Sequence, residues 1–248
     1  DGTVSLLKDI NTDALDTSPN GDPKNFIEYK GMLYFNGNDG DKGADKHDSE
    51  LWKTDGTPEG TVLVEDVWVG GNGNASNPQQ MWVFNDKLYF NGKVGTANQV
   101  FRYDGVNPVV QITTWRDNGS AVPFFPVVDE ANGITYLKAI AANGKYQLGV
   151  INADESTLMI NVNSTVNIGF SGTEGGVIYK GKYYFDGDNG VAGDELFVSD
   201  GTQAGTMMLK DINVGDDASD SNPEQFTIFN DELYFRQYIE VEGRKILR

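Results

Sequence analysis

The chain has 248 residues, with 37 acidic against 19 basic side chains, a net charge of −18 and a pI near 4.3. That balance excludes nucleic acid and anionic membrane as partners, because both require Lys and Arg to displace counterions. No apolar run approaches the roughly 18 residues of a membrane span, and with no Cys the fold must rest on a packed core.

In chain order, the first segment is an alternating stretch, Thr3–Ile10. Five copies of one unit then follow, at about 23–68, 78–115, 123–163, 173–213 and 223–248, the last completed by 1–11. One marker is Leu33-Tyr34-Phe35, Leu88-Tyr89-Phe90, Thr135-Tyr136-Leu137, Tyr183-Tyr184-Phe185 and Leu233-Tyr234-Phe235, with central tyrosines 55, 47, 48 and 50 residues apart. A second begins at Glu50-Leu51-Trp52, Gln99-Val100-Phe101, Gln147-Leu148-Gly149, Glu195-Leu196-Phe197 and Lys245-Ile246-Leu247. A third carries Asp9, Asp66 and Asp211, with weaker versions around Thr113 and Asn161, and its aspartates are expected to satisfy backbone donors of the next crossing loop.

Each unit reads as four short strands. In the second they are Gln79–Phe84, Lys87–Gly92, Asn98–Tyr103 and Val109–Thr114, broken by turn signals such as Asn85-Asp86 and Asp104-Gly105. Self-similarity at this period predicts an all-β fold, a five-bladed β-propeller with four antiparallel strands per blade. The fifth unit stops after its third strand, so Thr3–Ile10 is expected to supply its fourth and close the ring within a single domain.

The segments Glu50-Leu51-Trp52-Lys53-Thr54-Asp55-Gly56-Thr57 and Glu195-Leu196-Phe197-Val198-Ser199-Asp200-Gly201-Thr202, followed by Gly60-Thr61 and Gly205-Thr206, resemble the ELWxxDGT repeat proteins. The resemblance is sharp in the first and fourth units and departs in the second and third. It implies a propeller and an extracellular or cell-surface setting, and it carries no catalytic residues. Blade number and repeat length are more loosely similar to five-bladed lectins of the tachylectin-2 type.

Binding is expected on the long loops rich in Gly, Asn and Asp: Asn11–Pro23, Val69–Pro78, Arg116–Pro123, Asn163–Gly172 and Val214–Pro223. Two positions beyond the third-marker Asp or its equivalent, the repeat carries Asn11, Asn163 and Asn213 but also Trp68 and Trp115. A scaffold position satisfied by Asn does not need indole, so these two offer a platform for a sugar ring. Arg116, Asp117 and Asn118 would supply its hydrogen bonds. The alternative is that each indole packs over its own loop. Trp52 and Trp82 lie inside strands and are expected in the core.

Asp39, Asp41 and Asp45, and likewise Asp186, Asp188 and Asp194, alternate with Gly as oxygen ligands of a calcium ion do, without the full twelve-residue loop. Solvated turns are the competing reading. His47 alone makes no imidazole metal site. Glu28 is the one mid-strand carboxylate of the first strands, with Asp129 at a strand end, and no nucleophile elbow or phosphate loop occurs, so catalysis is not expected. The sequence thus reads as a secreted or surface module that binds a glycan or an extracellular protein, with calcium possible as a loop-ordering ion. The alternatives are a structural matrix or surface-layer component and a polysaccharide-acting hydrolase.

Overall fold

The structure is a computed structural model that describes residues 2–12, 20–40, 48–69, 74–115, 124–163, 165–169, 175–214, 220–241 and 244–247. Among these the regular structure is all strand, and every pairing is antiparallel. The first sheet is β1 (Lys24–Tyr29), β2 (Met32–Asn38), β3 (Ser49–Thr54) and β4 (Val62–Glu65). The second is β5 (Gln79–Phe84), β6 (Lys87–Val94), β7 (Ala97–Tyr103) and β8 (Val110–Gln111). The third is β9 (Phe124–Asp129), β10 (Ile134–Ile140), β11 (Tyr146–Asn152) and β12 (Thr157–Ile160). The fourth is β13 (Val177–Tyr179), β14 (Lys182–Asp188), β15 (Asp194–Ser199) and β16 (Met207–Lys210). The fifth unit forms two two-stranded sheets, β17 (Glu224–Phe229) with β18 (Glu232–Arg236), and β19 (Tyr238–Val241) with β20 (Arg244–Leu247).

These elements fall into two compact units, Asp1–Ala121 with the first two sheets and Val122–Arg248 with the others. Each has its own core. In the first, Tyr34, Leu51, Leu88, Phe90 and Phe101 are buried together. In the second, Tyr136 stacks on Tyr183 with centroids 4.6 Å apart, among Leu148, Ile160, Phe185 and Phe197. Burying each such side chain contributes about 1.5–3 kcal/mol. Trp52 and Trp82 are buried as expected from their strands.

The hairpins between first and second strands follow from turn chemistry. Asn85-Asp86 and Asn230-Asp231 both hold φ between 48° and 59°, the left-handed pair of a type I′ turn, which Asn and Asp tolerate. These turns also clasp neighbouring sheets. The hydroxyl of Tyr29 donates to Asp86 O at 2.8 Å, and that of Tyr179 donates to Asp231 O at 2.7 Å.

The sharp motif of the first and fourth units is a self-satisfying turn. Asp55 Oδ1 accepts from Thr57 N at 2.9 Å and Thr57 Oγ1 at 2.7 Å, and Thr57 Oγ1 in turn accepts from Gly60 N at 2.9 Å. Asp200, Thr202 and Gly205 repeat the same bonds. A Cβ on Gly60 or Gly205 would lie 2.0 Å from the Asp oxygen, which is why glycine stands there. The motif therefore builds a turn.

The segment Thr3–Ile10 forms no strand. Lys8 Nζ donates to Thr61 O at 2.6 Å, and Ile10 lies against Gly21 and Gly37. The fourth strand expected for the fifth unit is thus not among the described sheets, and β20 pairs with β19 alone. The second strand of that unit is split at Gln237. At the matching place Gly37, Gly92 and Gly187 lie close against aromatic rings, and only a small residue fits.

Candidate functional site

The first residue of the second marker is buried in four units: Glu50, Gln99, Gln147 and Glu195. Each stands opposite a Gly or Ala of the second strand, namely Gly37, Gly92, Ala139 and Gly187. Glu50 accepts from Val67 N at 3.0 Å, from Ser76 N at 2.6 Å and from Ser76 Oγ. Glu195 accepts from Ile212 N at 2.7 Å, Asn213 N at 3.3 Å and Ser221 Oγ at 2.7 Å. Gln147 donates to Asn163 O at 2.7 Å and Val166 O at 3.1 Å, while its carbonyl accepts from Val162 N at 2.9 Å. Gln99 accepts from Thr113 Oγ1 at 2.7 Å.

These side chains, and not the recurring aspartates, hold the crossing loops. Asp66 Oδ1 and Asp211 Oδ1 are buried with no hydrogen-bond partner among the described residues, and Asp9 is exposed. Burial pushes the Glu50 carboxyl up to about 7 and raises that of Glu195, against the opposing pull of their hydrogen bonds.

The expected ligand residues separate into three groups. Trp68 is half-buried with Lys93 Nζ 5.2 Å from its ring centroid, and Trp115 is half-buried. Arg116, Asp117 and Asn118 lie outside the described residues, as do Asp41 and Asp45 of the first acidic loop. Asp39 is buried beside a turn in which Gly40 N donates to Asn38 Oδ1 at 2.7 Å.

The third group, Asp186, Asp188 and Asp194, does come together. Asp188 and Asp194 are directly opposed in the β14–β15 register, and Asp186 lies one pleat along the same face. A Cβ on Gly169 would lie 2.6 Å from Asp194 Oδ1 and 2.7 Å from Asp186 Oδ1, so both carboxylates converge over that glycine. Asp188 Oδ1 also accepts from Gly190 N at 2.6 Å, so it orders its own loop. Among the described residues no group of three carboxylate, imidazole or thiol side chains is placed to hold a metal ion.

Asp188 and Asp194 edge an open cavity of about 590 Å³ between the third and fourth sheets. Lys138, Lys145, Tyr146 and Asn167 line it together with Asp188 and Asp194. Lys138 Nζ lies 4.4 Å from the Tyr146 ring centroid. The crossing segment is fixed to β11 by Ile168 N donating to Tyr146 O at 3.0 Å and Tyr146 N donating to Asn167 Oδ1 at 3.0 Å. Residues 165–169 of the crossing loop after the third sheet form part of the cavity's lining.

Charged groups at this place are shifted as well. Burial, then the charges of Asp186, Asp220 and Asp188, push the Asp194 carboxyl up to about 7, with Lys138 opposing. Burial lowers the Lys138 ammonium, and Asp186 and Asp194 oppose that shift. The Asp194 backbone is pinned, its N–H donating to Asp220 Oδ1 at 3.0 Å and its carbonyl accepting from Ser221 N at 2.9 Å.

Lys138, Lys145, Tyr146 and Asn167 were not singled out from sequence, although a signal existed. The residue after the second-strand Phe or Leu is Asn36, Asn91, Lys138, Asp186 and Arg236 in successive units. The scaffold buries Asn there twice, so charge at Lys138 and Asp186 is not a demand of the fold.

Among known proteins, no family model and no curated sequence matches this chain. Solved structures with a similar course of strands include a puromycin hydrolase, 10% identical with a TM-score of 0.49 over 87% of this chain and 33% of that one. TolB from Acinetobacter baumannii is 12% identical with a TM-score of 0.40 over 75% of this chain and 42% of its own. A family-43 α-L-arabinofuranosidase from Clostridium thermocellum is 17% identical with a TM-score of 0.36 over 88% and 81%. The chain thus spans under half the length of TolB and of the puromycin hydrolase. At these identities and scores none of the likenesses assigns an activity to it.

Proposed function

We propose that the chain is a binding module that takes a glycan into the cavity between its third and fourth sheets. One observation carries this reading: an aromatic ring, Tyr146, shares a concave site with the hydroxyl-binding groups of Asn167, Asp188 and Asp194. Sugar rings are bound by this combination of an apolar face and convergent polar groups. The acidic composition and the resemblance of the repeat support a cell-surface or secreted setting, and calcium remains a proposed loop-ordering ion.

Isothermal titration of the chain against a panel of plant and bacterial oligosaccharides is expected to find a ligand that Tyr146→Ala weakens at least about tenfold. Unchanged affinity in that variant, or binding lost instead in a Trp68→Ala/Trp115→Ala double variant, would contradict the placement.

A second reading is hydrolysis of a polysaccharide. The convergence of Asp186 and Asp194, with Asp194 protonated up to near neutral pH, favours it, because glycoside cleavage needs one carboxyl as acid beside a second carboxylate. It predicts released reducing ends that vanish in Asp194→Asn; binding without release leaves the module reading.

We also propose that the five units close into one ring, with Thr3–Ile10 pairing beside β20. The support is the repeat period and the match of Leu6-Leu7-Lys8 to Leu63-Val64-Glu65 and Met208-Leu209-Lys210. Oxidation of a Ser5→Cys/Lys245→Cys variant is expected to give an intramolecular cross-link in the monomer fraction. Cross-linking confined to dimers would sink ring closure.

A further inference from the structure

We infer that the cavity between the third and fourth sheets recognises a zwitterionic sugar, one residue bearing both an ammonium and a carboxylate group. The inference rests on the glycan reading above and sharpens it to a class of ligand.

The charges of the cavity are sorted by wall. The third sheet contributes Lys138, Lys145 and Tyr146, all from β10, β11 and the turn between them. The fourth contributes Asp188 and Asp194, paired across β14 and β15 at the lip. Lys145 forms no ion pair among the described residues. Lys138 occupies a repeat position that Asn36 and Asn91 fill without charge.

Covering Lys145 with a neutral sugar would strip water from its ammonium and give it no counter-charge, which is unfavourable. A purely anionic ligand would meet Asp188, and a purely cationic one would meet Lys145. A ligand with both groups satisfies both walls, its carboxylate toward Lys145 and its ammonium toward Asp188. A volume near 590 Å³ admits a residue of that size with part of a neighbour.

The experiment is titration calorimetry of the whole chain at low salt with five probes. They are glucose, glucosamine, glucuronate, 2-amino-2-deoxyglucuronate and the amino acid alanine. The zwitterionic sugar is expected to bind at least about tenfold more tightly than any other probe, and the margin should shrink as salt screens the charges. Lys145→Ala should narrow its advantage over glucosamine to less than about threefold.

Glucose binding as tightly as the zwitterionic sugar would overturn this inference while leaving the glycan reading standing. Alanine binding as tightly would overturn the sugar assignment. No binding of any probe, nor of the oligosaccharide panel, would overturn both.

Discussion

Replacing Glu50 by alanine is expected to destabilise the chain by about 3 kcal/mol or more, the largest single-residue effect foreseen outside the aromatic core. The buried carboxylate accepts from Val67 N, Ser76 N and Ser76 Oγ, and truncation leaves all three donors in a site with little access to water. Each orphaned buried donor costs about 1–3 kcal/mol, against a total stability of only about 5–15 kcal/mol. Glu50→Gln should cost less, about 1–2 kcal/mol, since the shape is kept and one acceptor becomes a donor facing another donor. Glu59→Ala, at an exposed turn, serves as the control and should stay within about 0.5 kcal/mol. Urea denaturation measures all three; a Glu50→Ala loss below about 1 kcal/mol would mean the strap does not hold the crossing loop.

The second large effect is on pH. The thermal midpoint is expected to be highest near pH 5 and to fall by several degrees toward pH 8. Glu50 and Asp194 hold their protons to about 7 in the folded chain, and Glu195 is shifted in the same direction. In the unfolded chain these groups ionise near 4. Between those limits the folded state binds more protons than the unfolded one, so stability drops as pH rises and levels off above about 7. For Glu50, fully buried, the drop is on the order of 3 kcal/mol, at about 1.4 kcal/mol per pKa unit.

The turn aspartates Asp55, Asp154 and Asp200 work in the opposite sense. Their hydrogen bonds to Thr57, Ser156 and Thr202 lower their pKa, so their contribution is present at neutral pH and lost in acid. Together the two sets place the optimum on the mildly acidic side, and a net charge of −18 adds self-repulsion at higher pH. Calorimetric scans from pH 4 to 9 would test this; a midpoint that rises between pH 5 and 8 would contradict it.

Much of the fold was legible because the chain states its unit five times. Alternation around Tyr34, Tyr89 and Tyr136 marked the second strands, and Asn85-Asp86 and Asn230-Asp231 marked their turns. Periodicity also placed Trp52 and Trp82 in strands and so in the core. The straps were not legible, because the groups they capture are mostly backbone N–H and C=O of loops 15 to 26 residues away, which leave no trace in side-chain type. Glu50 and Glu195 therefore read as the first residues of the second marker, while Asp66 and Asp211 drew the role by their regularity.

The site was half legible. Asp186, Asp188 and Asp194 were visible as a spaced acidic run, and strand register brings them together. Their partners came from another unit, and Lys138 and Tyr146 look unremarkable unless aligned with Asn36, Asn91 and their neighbours. The indoles of Trp68 and Trp115 broke the repeat more conspicuously, but their expected partners Arg116, Asp117 and Asn118 lie outside the described residues.

The most direct measurement is diffraction from crystals of the chain soaked with the tightest oligosaccharide of the titration panel. The account predicts sugar density against Tyr146, within hydrogen-bonding reach of Asp194 and Asn167. Density on Trp68 or Trp115, with none between the third and fourth sheets, would contradict it.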